Sequence, residues 1–317
     1  MNTKDSVMKN IKTFLLGLMA MLLALFSSLA AQNTTDAYRS EIFSTGAEPS
    51  VIIETSGGYI QVNGHNENEV HVHMIVRRGN RTLSPSDTDL SEFEIEIKQD
   101  GNTIYATASR EGSGLSRWFG SGSNISISFI VNTPVGSVID GRTSGGSVTA
   151  TNLTNNVSLR TSGGSVTAEA ISGTTDLRTS GGSITLTDIE GNLNARTSGG
   201  SIRANGLSGK SDLRTSGGSI HIDNSRGEIS ARTSGGSIRA QMLEFANDLD
   251  FTTSGGSIRV QVPSTDHFDL DLRGSRVEMT LQNFTGNTER NRITGRIGEG
   301  GPKISARTSG GTVSVNY

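Results

Sequence analysis

Thr-Ser-Gly-Gly recurs at Thr55, Thr143, Thr161, Thr179, Thr197, Thr215, Thr233, Thr253 and Thr308. Six consecutive starts, Thr143 to Thr233, are 18 residues apart, and the next gap is 20. A unit this short cannot bury its own apolar face. It buries that face against copies above and below, which makes a solenoid. The stretch Thr179–Arg196 shows what one coil contains. Its two nine-residue halves match, Gly182 with Gly191, Ile184 with Leu193 and Leu186 with Ala195. Apolar and polar residues alternate after each Gly, the period of a half-buried strand. One coil therefore reads as two short strands and two turns, with residues nine apart facing each other.

Side-chain volume fits that reading. Ala150 pairs with Leu159, Ala168 with Leu177, Leu186 with Ala195, Ala204 with Leu213, Ile222 with Ala231 and Ala240 with Phe251. Each pair has one small and one large member, as two sheets of constant separation require. Val148, Val166, Ile184, Ile202, Ile220, Ile238 and Ile258 supply a second inward, β-branched stack. A thin architecture also suits the composition, which is 32% apolar with 40 Gly and only 5 Pro. With no Cys, disulfides, thiolate nucleophiles and Cys-ligated zinc are excluded. A net charge of −3 argues against general nucleic-acid binding.

The fold expected is all-β, a single-chain parallel β-solenoid of about 18 residues per coil. Irregular β-strands cap its N-terminal end and longer strands close its C-terminal end. Lys4, Lys9 and Lys12 precede a 13-residue apolar run, Phe14 to Phe26, and Ser28 and Ala30 are small. That pattern is a signal peptide, and the run is shorter than a bilayer span. The expected organisation is a signal peptide at 1–30, a short lead at 31–49, a β-strand cap at 50–140, the regular solenoid at 141–262 and the solenoid end at 263–317. Within the cap, strands are expected over 50–62, 69–77, 104–108 and 125–131, and around Phe93, Ile95 and Ile97. Loops are expected over 80–91, 110–123 and 286–302. No later segment could span a membrane as a helix.

The opening Glu54-Thr-Ser-Gly-Gly-Tyr-Ile-Gln-Val-Asn-Gly64, the Leu-Arg-Thr-Ser-Gly-Gly-Ser-Ile coils and the closing Ile293-Thr-Gly-Arg-Ile-Gly-Glu-Gly-Gly-Pro302 resemble a known family. It is the bacterial toastrack-type β-solenoid, a domain of unknown function labelled as an adhesin. The resemblance covers roughly residues 50–317. It implies an exported β-solenoid at the cell surface or in envelope-stress systems, and it implies no catalytic residues.

Arg142, Arg160, Arg178, Arg196, Arg214 and Arg232 each precede a Thr-Ser-Gly-Gly and form an outward row. Adjacent charges about 4.8 Å apart in water repel by about 0.9 kcal/mol before screening, so the row needs counter-charges. Asp176, Asp212 and Asp250 lie two residues before the arginine position on the same face. One reading is a self-neutralised ladder; the other is a comb for an anionic glycan or phosphate-rich polymer. The site six after each Thr reads Thr149, Thr167, Thr185, Arg203, His221, Arg239, Arg259. This threonine array breaks after three coils, which argues against ice binding. Trp118, in a Gly/Ser loop, is read either as a stacking contact or as a lid on the core. His71 and His73 with Glu69, and Asp266, Asp269 and Asp271, are weighed as metal groupings. Ordinary polar strand faces explain both, and neither a metal nor a cofactor is expected.

The functional expectation is a non-catalytic exported module that contacts an envelope protein or glycan. An accessory of an envelope-stress sensor is one alternative. A carbohydrate-active β-helix enzyme is the other, although its clustered Asp residues are absent here.

Overall fold

The computed structural model describes residues 37–110 and 124–317. The expected signal peptide and Trp118 lie outside them. The described residues form twenty-five strands and no helix. Before the repeats come β1 (Arg39–Ser44), β2 (Ser50–Thr55), β3 (Ile60–His65), β4 (Glu69–Arg78), β5 (Arg81–Leu83), β6 (Phe93–Asp100), β7 (Thr103–Arg110) and β8 (Ile125–Pro134). The repeats carry β9 (Val138–Thr143), β10 (Val148–Leu153), β11 (Val157–Arg160), β12 (Val166–Arg178), β13 (Ile184–Arg196), β14 (Ile202–Arg214), β15 (Ile220–Ser225), β16 (Glu228–Arg232), β17 (Ile238–Met242), β18 (Leu249–Thr253) and β19 (Ile258–Gln261). After them come β20 (Phe268–Arg273), β21 (Arg276–Glu278), β22 (Phe284–Glu289), β23 (Arg292–Ile297), β24 (Lys303–Thr308) and β25 (Thr312–Asn316).

Pairing within the repeats is parallel with an 18-residue offset, for example Val166↔Ile184 and Leu177↔Ala195. The fold is the expected β-solenoid, and its corners explain the motif. A Cβ on the second glycine of a corner would sit on the backbone of the preceding corner, 2.0 Å from Gly146 O in the case of Gly164. Only a residue without Cβ lets coils stack at strand spacing. The motif threonine then ties the corners together. Thr179 Oγ1 donates to Gly164 O at 2.7 Å and accepts from Gly182 N at 3.2 Å. The opposite corner needs left-handed backbone at two places. Asn152, Ala170, Asp188 and Asn224 take φ of 50–57°, and Gly206 occupies the same column. Three residues later Gly173, Gly191, Gly209 and Gly227 have φ of 95–126°.

The alternating inward residues form one continuous core, with Val148, Ala150, Leu159, Ala168, Leu177 and Ile184 all buried. The facing relation differs from the expected nine residues. A Cβ on Gly141 would meet Leu159 Cδ2 at 3.2 Å, Val148 Cγ1 at 3.7 Å and Ile60 Cγ2 at 3.8 Å. The site two before each motif Thr thus faces the β-branched column seven residues on. The chain reverses at the corner, so facing partners mirror one another about it.

The two isolated motifs enter the same column. β2 lies between β7 and β9, and β3 lies between β8 and β10, all in parallel register. At the other end β24 separates β18 from β20, and β25 separates β19 from β21. Gly146 packs on Gly58, 88 residues away in sequence, and Gly311 packs on Gly256, 55 residues away. All nine motifs form one uninterrupted stack whose eight steps span roughly 38 Å. Residues 50–65 therefore form a coil of the stack, at the end where strands were expected to cap or widen the solenoid. The caps are antiparallel: β6 on β7, β4 and β1 beyond β8, and β23 then β22 beyond β20. The expected loop at 286–302 is largely this β22–β23 hairpin. Its alternation is hidden because β22 is almost wholly exposed and β23 buries only Ile293 and Ile297. Short β5 also occupies part of the expected loop at 80–91.

Candidate functional site

The arginine row stands on the outward face of the strands that lead into the motif. Register places Glu54, Arg142, Arg160, Arg178, Arg196, Arg214, Arg232, Thr252, Arg307 and Arg273 in one column. The column two residues earlier carries the acids, and they bridge coils. Asp176 meets Arg160 and Arg178, each at 3.2 Å, and Asp212 meets Arg214 at 2.9 Å and Arg196 at 3.6 Å. Asp250 meets Arg232 at 2.6 Å. Asp140 and Glu54 both meet Arg142, at 2.6 and 3.4 Å. All six row arginines therefore have an acidic partner.

Asp140 obeys the same two-residue spacing as its fellows, so the sequence carried its signal. Asp271 belongs to the ladder too. Arg307 donates to it at 2.6 Å and Arg273 at 3.1 Å. Burial alone would raise the Asp271 carboxyl, but the two guanidinium hydrogen bonds outweigh it and hold the pKa below the ordinary value. Its two arginine partners set Asp271 apart from Asp266 and Asp269, with which it was weighed as a grouping. Asp266 instead contacts His267 at 2.8 Å.

A groove of about 730 Å³ runs between the arginine row and the corner serines Ser180, Ser198, Ser216 and Ser234. Its arginine wall is already neutralised, so it presents hydroxyls and paired charges. A second cavity, about 580 Å³, lies at the C-terminal end beside Asp266, Gln282 and Tyr317. The Tyr317 ring stands edge-on to Phe268, with centroids 5.0 Å apart.

At the N-terminal end His71 Nε2 contacts Glu69 Oε1 at 2.6 Å, and His73 Nδ1 contacts Ser40 Oγ at 2.9 Å. Burial, helped by His71, lowers the His73 pKa. Among the described residues no group of three or more His, Asp or Glu is placed to hold a metal.

A family model for the Toastrack domain matches residues 30–316. The chain belongs to the Toastrack DUF4097 family. The ladder, corners and interleaved ends described above are thus features of a toastrack domain. No curated protein matches the sequence. Among solved structures, one of a "putative lipid binding protein" from Parabacteroides distasonis is similar at 13% identity and TM-score 0.48, over 88% of this chain and 96% of that one. Another, of a "putative adhesin" from Bacteroides fragilis, is similar at 13% identity and TM-score 0.35, with the same coverage. A third, of a "putative cell adhesion protein" from Clostridium sporogenes, has 10% identity and TM-score 0.22 over 87% and 98% of the two chains. No helix among the described residues is long and apolar enough to cross a membrane.

Proposed function

We propose that this toastrack domain is a non-catalytic, exported interaction module of the cell envelope. Residues 1–30 then act as a cleaved signal peptide, and the solenoid binds an envelope protein or glycan along its strand faces. One observation supports this most. The aspartates beside the arginine row stand singly, each held by an arginine, as with Asp176 between Arg160 and Arg178. A carboxylate fixed in this way lacks the paired partner that glycoside hydrolysis uses. Long polar columns suit distributed contacts to an extended ligand better than attack on one bond.

Fractionation with protease shaving of intact cells tests the export half. The reading expects processed protein outside the cytoplasm; unprocessed cytoplasmic protein refutes it. Pulldown from envelope fractions tests the binding half. It should recover a protein or polymer partner, and recovery of none counts against the module. Release of reducing ends from envelope polysaccharide, abolished by Asp212→Asn, would replace this reading with an enzyme.

A further inference from the structure

The face following each motif carries a second cationic row, and it differs from the first. Arg203, His221, Arg239 and Arg259 stand in direct register on four successive coils. The three arginines are exposed and the histidine is half-buried. Among the described residues none of these arginine side chains has an ion pair or hydrogen bond, whereas every arginine from Arg142 to Arg232 in the other row has an acidic partner. The column two residues further along reads Asn205, Asp223, Gln241 and Gln261, so a single acid faces the row. His221 Nδ1 is buried without a hydrogen-bond partner. On the N-terminal side the row continues as hydroxyls, Thr149, Thr167 and Thr185.

Unpaired guanidinium groups one or two strand steps apart repel one another, and a bound polyanion would relieve that repulsion. We propose that this row is a binding track for an anionic, uronate-bearing polysaccharide laid along the solenoid axis. Arginine forks bind carboxylates bidentately. A glycan laid along the axis runs past Arg203, Arg239 and Arg259 in turn, so uronates along it reach the arginines in succession. The threonines and amides beside the row hydrogen-bond sugar hydroxyls. A lipid surface fits less well, because the large exposed apolar residues among those described, Ile42 and Leu243, lie outside the row. Nucleic acid fits less well too, because neither column offers a Phe, Tyr or Trp for base stacking.

This inference rests on the proposed envelope-module reading and names its ligand class. The test uses the full processed chain and oligogalacturonate in a calorimetric titration at low salt. Three proteins are compared: wild type, R203Q/R239Q/R259Q and the ladder control R178Q. Circular dichroism checks that all three are folded. Wild type should bind, added salt should weaken binding, and the triple variant should lose roughly tenfold or more in affinity. R178Q should bind like wild type. The track is overturned if wild type fails to bind, if the triple variant binds equally or if R178Q loses as much. It is also overturned if neutral dextran, anionic vesicles or DNA bind as tightly as oligogalacturonate. An envelope pulldown with the triple variant separates the two readings. If a partner is retained while oligogalacturonate is not bound, the track falls and the module stands. If wild type captures nothing from the envelope, the module falls, and the titration alone judges the row.

Discussion

Replacing Gly164 by Ala tests whether the corner glycines exist for stacking. An added Cβ would lie 2.0 Å from Gly146 O, 2.3 Å from Gly146 C and 2.6 Å from Ser147 N. Those atoms are backbone and cannot rotate away, so the two corners must part by about 1 Å to reach van der Waals contact. The short hydrogen bonds across that seam include Thr161 Oγ1 to Gly146 O at 2.8 Å, Gly163 N to Ser144 O at 2.9 Å and Val148 N to Ser165 O at 2.9 Å. At about 1 kcal/mol each, their weakening costs about 3 kcal/mol. The neighbouring Gly163 is the control. Its Cβ would meet Gly145 O at 3.5 Å, an ordinary contact, and its φ is not left-handed. Gly163→Ala should change stability by less than about 1 kcal/mol and can stabilise slightly by restricting the unfolded chain. Urea denaturation of both variants, compared by midpoint, reads the difference. Equal midpoints would refute the stacking argument.

Thr197→Val should cost about 1–3 kcal/mol by orphaning Gly182 O and Gly200 N, which the hydroxyl meets at 2.7 and 3.3 Å, while Thr197→Ser stays near wild type. Equal losses in denaturation would show that the hydroxyl is irrelevant. Asp176→Asn should lower stability by roughly 0.5–1 kcal/mol at low salt and by less at high salt, because Arg160 and Arg178 lose a shared, partly exposed partner. A salt-independent loss would contradict the ladder. The Asp271 pKa is lower in the folded chain than in the unfolded one. Its contribution is therefore complete above the ordinary carboxylate pKa of about 4 and is lost as pH falls through the depressed value. Asp271→Asn should reduce the acid sensitivity of the C-terminal end in a pH series followed by hydrogen exchange; an unchanged profile would contradict this.

The coil itself was legible because its determinants are local: a Gly-Gly corner, alternating residues and an 18-residue interval. The interleaving was not. Nothing around Thr55 or Thr308 indicates that their neighbours in space are Thr143 and Thr253, since parallel pairing needs no short turn between partners. The β22–β23 hairpin escaped because a strand with both faces wet has no apolar period. The place of Asp271 in the ladder was hidden because its partner Arg307 lies 36 residues away. The contrast between the two cationic rows was within reach. Once the period is known, the column beside one row reads Asp140, Asp176, Asp212 and Asp250, while beside Arg203, His221, Arg239 and Arg259 the other column holds a single acid, Asp223. Taken alone, the site six after each motif Thr shows only a threonine array that breaks after Thr185.

Both rows depend on the coils stacking in the interleaved order, and cysteine cross-linking tests that order directly, because the chain has no Cys of its own. Arg259 pairs in register with Ser314, and Ser314 pairs with Glu278. Adjacent strands lie within disulfide reach, about 4.8 Å apart, and second neighbours lie beyond it. Under mild oxidation R259C/S314C should cross-link nearly completely and R259C/E278C should not. A solenoid stacked in simple chain order would give the reverse result, and that outcome would contradict the nine-coil column.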